Sequence, residues 1–237
     1  MWREFADRNG SQGRGALGIG EPVWPGRTPE ELRECRHHEA LLNLAFVNAP
    51  AWSLLCPYDA AGLDDEVLET ARRTHPFLVE GGTELESELY GGSPRRRGHS
   101  SPSRRSPAVA PERFELSAER LSEARRLVAA HAAEAGLGEQ RTGDLLVAIT
   151  ERAANTIRYG RGRGELRVWL EGGDLLCEVR DPGRIEDPLV GRRRPRSDQL
   201  AGRGLWLVNQ LCDLVQIRSG ADGTAIRVRM RPADDGG

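Results

Sequence analysis

The chain has 237 residues, with 34 basic side chains against 36 acidic ones, a formal net charge of -2. Every basic residue is Arg, so chemistry that needs a lysine amine is excluded, and the near balance excludes a histone-like polycation. At 38% hydrophobic and 30% charged, the length suits one large domain or two small ones.

Apolar runs reach only about five residues, as at 145–149, where a membrane helix needs ~20. The opening residues MWREFADRNG carry no apolar leader core. Cys35, Cys56, Cys177 and Cys212 are widely spaced without a C-x-x-C pair, which argues against a zinc ribbon or a dense disulfide framework. A cytoplasmic protein with reduced thiols is expected.

Residues 1–90 hold 8 Arg against 16 acids, a net of -8. An amphipathic helix is expected from Pro29 to about Val47, a buried strand within 52–59 ending at Pro57, and a second helix over 64–74. Cys35, His37, His38, Cys56 and His75 are metal-ligating types, but their spacing fits no zinc pattern; a buried thiol and capping or surface imidazoles are the better reading. Residues 91–111 hold 5 Arg and no acid amid Gly, Ser and Pro. With little to bury, this segment reads as a disordered linker. A nucleic-acid patch is the weaker reading, since no aromatic residue is interleaved for stacking.

Residues 112–237 carry 21 Arg and 20 acids. A short strand at 114–116 precedes a helix capped by Ser117 and running to about Glu134, then a second helix over about 140–159 that stops at Gly160. Strands at 164–172 and 174–183 meet at Gly172-Gly173, a hairpin signal. A basic loop (186–201), a helix from about Gly204 to Cys212, and strands at 214–218 and 224–230 complete the unit. The order predicts an α+β two-layer sandwich, helices on one face of a mostly antiparallel, mixed sheet.

Four constellations stand out. Glu151 and Asn155 are one helical turn apart on one face, where a carboxylate and an amide can hold a metal ion beside a hydroxyl; a solvated polar face is the competing reading. Asp181-Pro182-Gly183 follows an apolar strand, and an acid there can accept from a planar ligand's amine. Gly202-Arg203-Gly204-Leu205 opens the last helix with backbone amides available to phosphate, near Arg192, Arg193, Arg194 and Arg196. Gly223-Thr224 opens the last strand.

Taken in order, ITERAANTIRYG, DPGRIEDP, GRGLWLVNQLCD and GTAIRVRM resemble the GHKL family of ATPases and kinases over about residues 112–231. Within it they are most similar to the anti-sigma regulatory factors with serine kinase activity of bacterial partner switching. The resemblance implies ATP and Mg²⁺ as ligands. Asn155 would bind Mg²⁺ and Glu151 would be the general base. Asp181 would accept from the adenine amine, with Thr224 in support. Gly183, Gly202, Arg203, Gly204 and Leu205 would surround the nucleotide, Arg158 would contact phosphate, and 186–201 would form a lid. The implied partners are a sigma factor and its antagonist protein, and a homodimer is compatible with the family.

Ile185 stands where the first glycine motif has a second Gly, and Trp206 where many relatives have a small residue. No phosphoacceptor-His helical hairpin is evident, which argues against a complete two-component histidine kinase. A non-catalytic nucleotide-held interaction switch and a sensor histidine-kinase-like ATPase remain as alternatives. GIGEPVWPGR, ECRHHEALLNLAF, LLCPYD and ARRTHP resemble the C-terminal half of the MEDS sensory domain, implying a small α/β unit over 1–90.

Overall fold

The structure, a computed structural model, describes residues 16–47, 52–92, 107–160, 162–195 and 202–232. The chain divides into two compact units, Met1–Arg97 and Gly98–Gly237. Most of the expected linker lies outside the described residues.

In the N-terminal unit, β1 (Ala16–Ile19) pairs in parallel with β2 (Trp52–Leu55). Helix α1 (Pro29–Phe46) lies between them in sequence, and α2 (Asp65–Thr74) and the hairpin of β3 (Phe77–Glu80) with β4 (Thr83–Glu86) follow. Thr28 and Glu31 form a reciprocal capping box that fixes the start of α1. The helix expectations hold to within a residue. The expectation of a buried strand at 52–59 does not: β2 alternates half-buried and exposed residues and stops at Leu55, with β1 its one partner among the described residues.

In the C-terminal unit, β5 (Glu112–Leu116), β6 (Gly164–Glu171), β7 (Asp174–Asp181), β8 (Leu214–Gly220) and β9 (Gly223–Met230) form one sheet in the order β5-β6-β7-β9-β8. Every pairing of this sheet among the described residues is antiparallel, so the α+β sandwich is as expected while the expected mixed character is not seen there. Gly172 and Gly173 take φ of 63° and 87°, the two left-handed positions of a tight hairpin turn between β6 and β7.

Helices α3 (Leu121–Glu134), α4 (Glu139–Tyr159) and α5 (Arg203–Leu211) complete the unit. Ser117 does not cap α3 as expected. It accepts the Arg120 amide in a preceding turn, and the helix begins four residues later, at Leu121. The core gathers Val128 and Ala132 of α3, Leu145 and Ile149 of α4, Leu205 and Val208 of α5, and Leu166, Val179 and Ile226 of the sheet. Burying such side chains contributes about 1.5–3 kcal/mol each. This packing fixes α4 against the sheet, with its last turns at the end where β7 and β9 meet.

Candidate functional site

Successive residues of an α-helix step around the axis by about 100°. On α4 this aims two pairs, each one turn apart, in different directions. Glu151 and Asn155 face the start of α5; Arg152 and Thr156 face the end of β7.

The first pair is defined by Gly204. A Cβ at that position would lie 2.5 Å from Glu151 Oε2 and 3.2 Å from Asn155 Nδ2. A glycine there therefore lets the first turn of α5 abut both side chains. Gly202, at the N-cap, has φ of 85°, a left-handed conformation natural to glycine, and brings no side chain of its own to cap the helix. The first-turn amides thus form a partially positive end beside the Glu151 carboxylate. Leu205 is 3% exposed and belongs to the core, so it holds α5 in place; its neighbour Gly191, at φ of 74°, would strike it with any side chain. Arg203 is exposed, as is Arg158, whose guanidinium carbon sits 5.9 Å from the Tyr159 ring centroid.

The second pair meets Asp181. Thr156 Oγ1 donates to Asp181 Oδ2 at 2.9 Å, and the Gly183 amide donates to Oδ1 at 2.8 Å. Arg152 Nη2 lies 3.7 Å from Oδ2, with both side chains nearly buried. Burial pushes the Arg152 pKa down to about 10, and the Asp181 charge opposes that shift. Thr224 stands opposite Asp181 in the β7–β9 register. Its hydroxyl donates to the Gly183 carbonyl at 2.8 Å and sits 2.8 Å from Ser219 Oγ, which in turn accepts the Ile185 amide at 2.8 Å.

Glycines make this end of the sheet close-fitting. A Cβ at Gly160 would lie 2.8 Å from Asp181 Cβ, and one at Gly223 would lie 2.3 Å from the Asp181 carbonyl oxygen. Gly160 and Gly164 thus leave space beside Asp181. Ile185, where the motif has glycine, packs against the core while its amide still enters the network.

The expected residues therefore fall into two groups joined by α4: Glu151, Asn155 and Gly204 in one, Asp181, Gly183 and Thr224 in the other. An open groove runs over Gly164, Asp181, Ser219, Gly223 and Thr224; its lining does not include Glu151, Asn155 or Gly204. Of the basic loop, Arg193 and Arg194 are exposed and Leu189 is buried, while Arg196 and the rest of 196–201 lie outside the described residues.

Arg152 and Thr156 lie inside ITERAANTIRYG with no role assigned to them there, and Ser219 lies outside every motif. Arg152 had a signal: it falls on the stripe of Leu145, Ala148, Ile149, Ala153 and Thr156 that α4 buries, where a charged side chain needs a partner.

In the N-terminal unit, Cys35 Sγ donates to the Pro22 carbonyl at 3.0 Å, and burial pushes the Cys56 thiol up to about 11. Among the described residues no group of three or more His, Cys, Asp or Glu could hold a metal, and no helix is long and apolar enough to cross a membrane.

Residues 1–76 match the MEDS family, described as the methanogen/methylotroph, DcmR sensory domain. No curated protein matches the chain closely enough to count. Among solved structures, the RsbU and RsbW domains of a Mycobacterium tuberculosis protein are similar at 20% identity and a TM-score of 0.40, over 52% of this chain and 32% of that one. This chain thus spans about a third of that protein's length. The histidine kinase domain of the Erythrobacter litoralis EL346 blue-light activated histidine kinase is similar at 18% identity and a TM-score of 0.33, over 53% and 69%. The Acinetobacter baumannii histidine kinase AdeS is similar at 11% and 0.32, over 53% and 70%. Residues 114–230 match the histidine kinase-like ATPase domain family, in keeping with the motifs and the helix-on-sheet fold already in place.

Proposed function

We propose that the C-terminal unit binds Mg·ATP and phosphorylates a serine or threonine of an antagonist protein, in a partner-switching system whose alternative partner is a sigma factor. Residues 1–90 serve as its sensory part. The observation that carries the reading is the placement of Glu151 and Asn155 against Gly204, at the start of α5, with Asp181 at the end of β7 held by Thr156 of the same helix. The residues suit the ligand. Oxygen donors of an amide and a carboxylate match a hard divalent cation. The Asp181 carboxylate, in a close-fitting setting of glycines, is an acceptor for an exocyclic amine.

When bound, Mg·ATP supplies the phosphoryl group and the charge neutralisation on which phosphoryl transfer depends. The chain does the rest. Asp181, steadied by Thr156 and the Gly183 amide, orients the base. Thr224 fixes the Gly183 carbonyl and so the turn after β7. The α5 amides receive phosphate, with Arg158, Arg203 and the exposed Arg193 and Arg194 as guanidinium contacts. Asn155 holds the cation, and Glu151 takes the proton from the attacking hydroxyl.

A second reading, a nucleotide-held switch without catalysis, is favoured by one observation: the Glu151 carboxylate already lies against the start of α5. Phosphotransfer to candidate antagonists by wild type and Glu151→Gln separates the two. The kinase reading expects a loss of about 10²–10⁴-fold in the variant with ATP binding retained. Intact transfer in Glu151→Gln removes the base assignment, and wild type that binds ATP without transfer establishes the switch.

A further inference from the structure

Arg152 is the component of this region that the assigned roles leave unused. It is 5% exposed, on the face of α4 turned towards β7. Its Nη2 stops 3.7 Å from Asp181 Oδ2, beyond hydrogen-bond reach, and its Nε is buried with no hydrogen-bond partner. The carboxylate does not depend on it for satisfaction: Thr156 serves Oδ2 and Gly183 serves Oδ1. A guanidinium is all donor and the carboxylate all acceptor. Buried together, they offer the two complementary halves of a polar edge.

The Watson–Crick edge of adenine has that pattern: an exocyclic amine that donates, beside a ring nitrogen, N1, that accepts. A carboxylate alone reads only the amine. We propose that Arg152 is a specificity-determining residue that donates to the acceptor nitrogen N1 while Asp181 accepts from the neighbouring amine, so that both atoms of the base edge are read. This rests on the nucleotide-site reading above. Burial lowers the guanidinium pKa only to about 10, so it is a charged donor at neutral pH. A charged donor with unused N–H groups in a nearly dry setting has its full strength available to a ligand. A purely structural role, neutralising Asp181, would leave the ring nitrogen unread.

The test is calorimetric titration of the full chain with ATP and with 1-deaza-ATP, in which N1 is replaced by C–H. Wild type, Arg152→Met, Arg152→Lys and Asp181→Asn are compared, each checked for folding by circular dichroism. Wild type is expected to bind the deaza analogue about tenfold or more weakly than ATP, the cost of one charge-assisted hydrogen bond. Arg152→Met should bind ATP about tenfold more weakly than wild type and treat the two ligands alike, and Arg152→Lys should recover part of the discrimination. The inference is overturned if wild type shows no deaza penalty, or if Arg152→Met keeps it. If ATP affinity falls in Asp181→Asn while the deaza penalty ignores Arg152, only this inference fails. Wild-type ATP affinity in Asp181→Asn would show that the base lies elsewhere, removing the site reading and this inference with it.

Discussion

Thr156 of α4 donates its hydroxyl proton to Asp181 at the end of β7, at 2.9 Å. This bond ties the helix that carries Glu151 and Asn155 to the strand end that carries Asp181, the proposed base acceptor. Thr156→Val keeps the shape and removes the donor. It should weaken ATP binding by about three- to tenfold, the worth of one hydrogen bond. Asp181→Asn should weaken it further, because the ionised acceptor itself is lost. Calorimetry on both variants checks the order; wild-type affinity in Thr156→Val beside a loss in Asp181→Asn would mean that Thr156 has no effect through Asp181.

Gly204→Ala probes the other group. The added methyl would meet Glu151 Oε2 at 2.5 Å, so the carboxylate must swing away from the start of α5. The expected outcome is a folded protein whose phosphotransfer drops by about 10²-fold or more, the contribution of a positioned base. ATP affinity should change much less, since Asp181 is untouched. Thermal melts, ATP titration and a transfer assay on the same preparation check all three.

Much of this organisation was legible in the chain. The Gly-Gly hairpin and the order of the four motifs locate the sandwich and the residues around Gly204 and Asp181. The partners of Arg152 and Ser219 were not legible, because tertiary packing brings each to them. Arg152 faces Asp181 only once α4 is seated on the sheet, and Ser219 reaches Thr224 only across the β8–β9 register. The start of α3 was misread at Ser117 because a local turn competes with capping. β2 was misread because an apolar run does not reveal how many strands will cover it.

Arg152 also bears on stability. Burial lowers its pKa more than the Asp181 charge raises it, so the fold disfavours the charged form. Arg152→Met should therefore raise the melting temperature at neutral pH even as it weakens ATP binding, an exchange common at functional sites. Differential scanning calorimetry decides; a marked fall in Tm would show that the ion pair stabilises the fold.

Cys212 gives a pH signature. Burial, reinforced by Asp213, pushes its thiol from the ordinary 9.0 up to about 12. The folded chain thus holds this proton at pH values where the unfolded chain releases it. The stabilisation is complete below about pH 9 and is lost as pH rises towards 12. Cys212→Ala should flatten the fall in stability over that window, measured by urea unfolding at stepped pH. An unchanged slope would mean that other groups carry the alkaline dependence.

The central claim is that this unit holds a nucleotide through a cation at Asn155. Its most direct test is ATP calorimetry with and without Mg²⁺ on wild type and Asn155→Ala. The account predicts that Mg²⁺ strengthens binding in wild type and that Asn155→Ala abolishes this dependence. Equal Mg²⁺-dependent affinity in both proteins would contradict it.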